Sequence, residues 1–221
     1  MKAITRQKAL AEIERMLDGD SRVFIVGCGT CATMCRTGGK EEVLDMERKL
    51  TNLGKTVTGS VVIPTVCDAL DQQAVAENTK AIEEADCILV MACAYGVQTL
   101  ALYTDKPVYP ALDTLFMGQE MSPGVFSEVC VQCGECVLEW TSGICPLTAC
   151  PKGLLNGPCG GAKNGKCEVS ALKDCAWEVI YDRLRKQGKL GNLKKRRALR
   201  NFAASAKPGT YPVGSKDDQL K

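Results

Sequence analysis

Between Ser122 and Ala176 the chain sets Cys130, Cys133, Cys136, Cys145, Cys150, Cys159, Cys167 and Cys175 among eight glycines and four prolines. That much glycine and proline leaves little room for regular elements or apolar packing. Something other than a packed core must hold this stretch, and ligation of a metal or cluster is the physical candidate. The whole chain of 221 residues carries 14 Cys and no His. Without histidine there is no Ser-His-Asp or Cys-His nucleophile, no His-ligated zinc or haem, and no imidazole acid–base catalysis. Carboxylates, Lys, Tyr and Cys remain. In a reducing compartment so many thiols are not disulfides. Metal binding is the default reading of the set, while for any isolated cysteine a small buried hydrophobe is the competing one.

Composition fixes the class. With 45% hydrophobic residues the chain can bury a sizeable core without disulfide staples. A net charge of +2 gives no global pull toward nucleic acid or membrane. The first residues, Met1 to Lys8, are charged and lack an apolar h-region, which predicts a cytoplasmic protein. The uncharged run from Cys87 to Thr104 contains Gly96, Gln98 and Thr99. It reads as a buried strand and a short helix, not a membrane span.

The first half alternates apolar runs with helical patterns. Residues 4–17 place Leu10, Ile13 and Leu17 at helical spacing, Arg22–Val26 reads as a strand, and 41–53 as a helix. Val61–Ile63 reads as a strand, 71–85 as a charged helix, Ile88–Met91 as a strand, 96–103 as a short helix and Pro107–Tyr109 as a strand. Near-continuous apolar strands in β-α-β alternation predict an α/β fold with a small parallel, Rossmann-like sheet covered by helices. The expected organisation is an α/β domain over 1–120, a cysteine-rich, loop-dominated iron–sulfur (ferredoxin-like) domain with a C-terminal helix over 121–187, and a loosely ordered basic tail over 188–221.

Cys130-Val131-Gln132-Cys133-Gly134-Glu135-Cys136 is a C-x2-C-x2-C run, followed by Cys145-Pro146 and Cys150-Pro151. Three closely spaced thiolates on a glycine-bearing loop suit three corners of an iron–sulfur cube, whose fourth ligand in ferredoxin-type chains is a distant Cys-Pro. Zinc is the rival, though tetrahedral zinc typically uses paired C-x2-C doublets. The eight thiols make two sets of four, so two 4Fe-4S clusters, or one cluster with a separate zinc, both fit the count. Which thiol serves which site is not readable.

Near the N-terminus, Gly27-Cys28-Gly29-Thr30-Cys31-Ala32 obeys the G-x-G-x-x-A dinucleotide pattern. A true fingerprint wants an acidic residue about 20 positions on at the end of the second strand, and the corresponding strand here ends much later, at Val66-Cys67-Asp68. A different reading starts from topology, since ligands of a parallel sheet sit beyond the C-terminal strand ends. Cys28, Cys31 and Cys35 follow the first strand of that sheet, Cys67 the second and Cys93 the third. Five thiols would converge on one crevice, enough for a third cluster with one to spare, while several free thiols lining a pocket is the bland alternative. Cys87, inside the third strand, reads as core.

Together these residues resemble the accessory iron–sulfur subunits (MetV type) of two-subunit methylenetetrahydrofolate reductases from acetogens and related anaerobes, a module also found as a methylenetetrahydrofolate reductase C-terminal domain. The matching stretches are Val26–Thr33, Met91–Cys93, Gly96–Gln98, Cys130–Cys136, Gly143–Pro146, Leu155–Gly161, Asn164–Glu168 and Cys175–Trp177. The resemblance implies a non-catalytic electron-transfer subunit of the Wood–Ljungdahl pathway, with two or three 4Fe-4S clusters per chain. It implies as partners a ferredoxin or larger electron-transfer complex as donor and a separate flavin-bearing TIM-barrel reductase subunit as acceptor. At this length the chain cannot contain a barrel of about 250 residues plus a cluster domain. Glycine amides around Cys133 and Cys159 are expected to hydrogen-bond sulfur and so tune potential.

The remaining features weigh less. Lys194-Lys195-Arg196-Arg197, with Arg183, Arg185, Lys186, Lys189 and Arg200 nearby, reads as a solvated surface or a docking site for an acidic carrier or the catalytic subunit. Without interleaved aromatics it does not read as a nucleic-acid site. Trp140 and Trp177 flank the array and are placed to shield it. Two other classes stay open: a zinc-stabilised interaction module, and a thiol- or NAD-dependent redox protein using the first crevice.

Overall fold

The computed structural model describes residues 2–68, 70–205 and 209; the basic tail at 206–208 and 210–221 lies outside the described residues. The chain divides into two compact units, Met1–Ser127 and Glu128–Lys221.

In the first unit the elements run β1 (Lys2–Gln7), α1 (Leu10–Met16), β2 (Arg22–Cys28), α2 (Cys31–Met34), α3 (Lys40–Asn52) and β3 (Thr56–Ile63). There follow α4 (Leu70–Glu77), α5 (Thr79–Glu84), β4 (Cys87–Met91), α6 (Ala94–Leu100), β5 (Val108–Pro110), β6 (Leu112–Ser122) and β7 (Val125–Glu128). A parallel sheet of order β3-β2-β4-β5 forms the centre, as the apolar runs predict. Val23–Val26 and every residue of β4 are buried, which is what a parallel strand covered on both faces demands. On one side α3 turns Val43, Met46 and Leu50 inward, and its first turn is closed by the Glu42 carboxylate, which accepts the Gly39 N–H at 2.9 Å. At the N-terminal edge the Asp86 carboxylate accepts the backbone N–H of Ser21 and Arg22 at 2.9 and 2.8 Å and pairs with the Arg22 guanidinium at 2.8 Å. The guanidinium hydrogen bonds, then the two amides, hold this carboxyl down at about 2.

The structure departs from the sequence expectations at three places in this unit. Residues 4–17 are not one helix: β1 takes residues 2–7 and pairs antiparallel with β6, burying Ala3, Ile4 and Thr5, so the helix shrinks to α1 around Ile13. The Thr5 hydroxyl meets that of Thr37 at 2.6 Å in a buried contact. The 71–85 helix is two, α4 and α5, broken where the Asn78 side chain bonds back to the Ala74 carbonyl at 2.9 Å. And β6 and β7, which build a second sheet of order β1-β6-β7, have no counterpart in the predicted elements.

The second unit contains α7 (Pro146–Ala149), an antiparallel pair β8 (Lys166–Cys167) and β9 (Ser170–Asp174), α8 (Ala176–Lys186), and 3-10 turns at Leu190–Lys194 and Phe202–Ser205. As the sequence leads one to expect, it is mostly loop and ends on a helix. Its core is small: Cys175, Trp177, Ile180 and Leu184 are buried, with Ile144, Cys150, Ala162 and Leu190 packed against them in part. The described part of the basic tail makes specific contacts within the unit. Arg197 and Lys195 lie over the Trp140 ring, 4.9 and 5.9 Å from its centroid, and the Arg197 N–H donates to Asn156 Oδ1 at 2.8 Å. Among the described residues no helix is long and apolar enough to cross a membrane.

Gly38 is the tightest point of the first unit. A Cβ there would overlap the Met91 carbonyl oxygen at the end of β4, and its own carbonyl accepts the Cys28 N–H at 2.9 Å. Gly38→Ala is expected to lower stability by about 1–3 kcal/mol, as overpacking does. Gly191→Ala, where a Cβ meets nothing within 4 Å, should stay within ~0.5 kcal/mol; thermal melting of the two variants beside the parent checks this.

Candidate metal centres

The thiols of the first unit gather at the C-terminal edge of the parallel sheet. In register, Cys28 of β2 stands beside Ile63, the last residue of β3, and Gly27 beside Met91, the last residue of β4. Each strand end then carries a cysteine at it or just beyond: Cys28 closes β2 with Cys31 after it, Cys67 follows β3 and Cys93 follows β4. Two glycines draw the three loops together. Gly29 donates its N–H to the Ile63 carbonyl at 2.8 Å, and a Cβ on it would stand 3.2 Å from Pro64. A Cβ on Gly96, in α6 just after Cys93, would stand 3.0 Å from Val66. The segment Pro64–Cys67 is thus held between the Cys28 loop on one side and the Cys93 helix on the other.

Electrostatics report the same proximity. Although the Cys67 side chain reaches solvent, partial enclosure by its surroundings pushes its thiol upward, and charge on Cys93, Cys28 and Cys31 pushes it the same way. Thr30 brings its hydroxyl to 3.3 Å from Cys28 Sγ, and Thr33 donates to the Cys28 carbonyl at 2.7 Å. Cys35 has different surroundings. Its Sγ lies 3.9 Å from the Ala3 carbonyl, in a hollow lined by Ile4, Thr5, Met34, Glu120 and Phe126, on the side of the β1-β6-β7 sheet. Cys87 is fully buried inside β4, where burial, then the charge of Asp20, raises its thiol to about 12. It is a packed core thiol.

The glycines that suggest a dinucleotide loop have a packing explanation. A Cβ on Gly27 would stand 2.6 Å from Val43 Cγ2 of α3 and 2.7 Å from the Gly38 carbonyl. The helix that follows, α2, is a single turn of 4 residues.

In the second unit Cys130, Cys133 and Cys136 occupy a loop that folds back on itself through left-handed residues, Gln132 at φ 48° and Gly134 at φ 76°. The Gln132 N–H points at Cys130 Sγ at 3.4 Å, and Cys133 Sγ lies 3.6 Å from the Glu135 carbonyl. The Gly161 N–H points at Cys159 Sγ, also at 3.4 Å. Amide-to-sulfur contacts are therefore present, from glycine at Cys159 and from glutamine at Cys130. Cys159 also meets the Glu168 carboxylate at 3.3 Å, which Lys152 contacts in turn. Cys145 caps the start of α7 and Cys150 its end, while Cys175 caps α8. Cys150 and Cys175 share the small apolar core, and Cys167 lies in β8. Trp177 is buried there, its indole N–H donating to the Leu154 carbonyl at 3.0 Å. Among the described residues no three Cys, Asp or Glu side chains are gathered in a way that would hold a single metal ion.

One group had no sequence signal. Asp71, at the start of α4 a few residues after Cys67, is fully buried, and neither carboxylate oxygen has a hydrogen-bond partner among the described residues. Burial, then the charge of Asp68, raises its carboxyl from 3.8 to about 7. In sequence it is one acid in an amphipathic helix. Only the packing of α4 removes it from water. Because the folded value lies above the unfolded one, this carboxyl is neutral and harmless at acid pH, and its cost grows as pH rises from 4 through 7. Asp71→Asn is expected to match the parent near pH 4 and to be more stable by on the order of 2 kcal/mol at pH 8; melting curves across that range read it directly.

No curated protein and no solved structure matches the chain. Residues 109–203, a stretch that holds all eight cysteines of the C-terminal array and none of those at the sheet edge, match the model of the family described as methylene-tetrahydrofolate reductase C terminal.

Proposed function

We propose that this chain is an iron–sulfur electron-transfer subunit of a methylenetetrahydrofolate reductase assembly. In this reading it relays electrons from a low-potential donor, such as ferredoxin or a larger electron-transfer complex, to the flavin of a separate catalytic subunit. The observation that carries it is the family match over residues 109–203, which covers the whole C-terminal cysteine array. The donor set supports it. The array offers thiols with no histidine anywhere in the chain, and sulfur-only sites select iron–sulfur clusters or zinc. The energetics of the unit support it too. Its apolar cluster of Cys175, Trp177, Ile180 and Leu184 is small against the conformational entropy of so long a loop region, so a bound group would contribute to folding.

Cys130, Cys133 and Cys136 are the ligands that one loop supplies together. The further thiols come from Cys145, Cys150, Cys159, Cys167 and Cys175, with zinc possible at one site. A four-iron cluster supplies one-electron transfer at a potential set by its surroundings. The chain's own contribution is to those surroundings. The N–H groups of Gln132 and Gly161 aim at Cys130 and Cys159 sulfur, where hydrogen bonds to a cluster's sulfurs would help set its potential. The buried Trp177, Ile180 and Leu184 keep water from the side of Cys150 and Cys175. The cations over Trp140 form a positive face suited to an acidic carrier.

Cys133→Ser, made anaerobically with iron–sulfur assembly intact, is expected to lose about four irons per chain with matching sulfide. Transfer from donor to the partner's flavin should fall to background, while the partner still works with an artificial donor. Full iron and full coupled activity in this variant, or zinc without labile sulfide in the parent, would overturn the reading.

A further inference from the structure

We infer that Cys28, Cys31, Cys67 and Cys93 form a second, independent four-thiolate centre at the C-terminal edge of the parallel sheet, built to take an iron–sulfur cluster, and that Cys35 is not part of it. The inference goes beyond the reading of the C-terminal array, since residues 109–203 alone carry the family match and all four thiols lie outside it.

The geometry selects four of the five candidates. Three adjacent strands, β3, β2 and β4, end at one edge. The loop that bears Cys67 is held between Gly29 and Gly96, each too close to Pro64 or Val66 to accept a larger side chain without displacement. This brings Cys67 between the Cys28–Cys31 loop and Cys93. Cys35, one helical turn beyond Cys31, faces the hollow beside β1.

Ordinary packing does not account for the set. It explains Cys87, sealed in β4, and it would explain Cys28, which joins the apolar core. It does not explain Cys67, an exposed thiol on a loop, or the half-buried Cys31. Nor does apolar packing require that three separate loops each bring a thiol to the same edge of the sheet. Four sulfurs and no imidazole or carboxylate leave iron–sulfur or zinc. A single zinc would draw its sulfurs to within about 4 Å of each other, given Zn–S bonds near 2.3 Å, whereas a four-iron cluster takes a wider set with each thiolate on a different iron, and metal analysis separates the two.

The test uses the full chain, made anaerobically with its assembly machinery. Cys67→Ser and Cys93→Ser are each expected to lose about four irons and four sulfides per chain relative to the parent, whereas Cys35→Ser and Cys87→Ser keep them. The C-terminal array is scored separately by Cys133→Ser, so an empty crevice and an empty array give different deficits. Unchanged iron in both Cys67→Ser and Cys93→Ser would overturn the inference, as would loss of zinc in place of iron. A second measurement needs no variant: in the iron-loaded parent, exposed Cys67 should resist iodoacetamide and become reactive once the metal is chelated. Rapid labelling of Cys67 before chelation would equally overturn it.

Discussion

Everything in the first unit depends on β2 being paired on both sides. Its neighbours β3 and β4 run parallel to it, so all three strands end at the same edge, and the three following loops are delivered to one place by topology alone. The opposite edge is fastened differently. There Asp86 ties the starts of β2 and β4 through two backbone amides and a guanidinium. The sheet is clamped by charge and hydrogen bonds where its strands begin and carries thiols where they end. Glycine links the two demands: at 27, 29, 38 and 96 a Cβ would strike a neighbouring element, so these residues are spent on bringing backbones together.

This explains how much of the molecule could be read in advance. The parallel sheet was legible because β2 and β4 are buried on both faces and so appear as unbroken apolar runs. That the loops after β2, β3 and β4 leave from one edge was legible because topology, not side-chain detail, decides where strand ends go. What failed was whatever a distant partner decides. Lys2–Gln7 continues the helical spacing of Ile13 and Leu17, yet it pairs with β6 more than 100 residues away, and Arg6 and Lys8 fasten it there through Asp113. Only tertiary pairing overrides a local helical pattern in this manner. Likewise β6 itself, Leu-Asp-Thr-Leu-Phe-Met-Gly-Gln-Glu-Met-Ser, has no clean alternation, and its bulge opposite Ile4 and Thr5 breaks what period there is. Cys35 was grouped with its sequence neighbours for want of the same information.

In the second unit the lesson runs the other way. The cysteine spacing was plain, but the folding back of the tail was not, because Lys195 and Arg197 carry no periodic signal and are positioned by the flat face of Trp140. The amide-to-sulfur contacts follow from backbone shape. A left-handed residue at Gln132 turns its N–H toward the preceding thiol, a conformation that glycine would adopt more readily.

The two sets of thiols therefore stand in different physical relations to anything they bind. At the sheet edge the cysteine-bearing loops are placed by an apolar core that runs from Ile13 to Leu112, so a group bound there would find its sulfurs already arranged by the fold. In the C-terminal unit the apolar cluster is small, Cys175 and one face of α8 with Ile144, Cys150, Ala162 and Leu190 packed against them, and most of the sulfurs are spread along loops. There, metal binding and folding would be one event. A site of the first kind would tolerate loss of its metal and be refilled, whereas a site of the second kind would lose its shape with it. For an electron carrier, such a difference would separate a rigid centre with a fixed environment from one whose environment exists only while the cluster is in place.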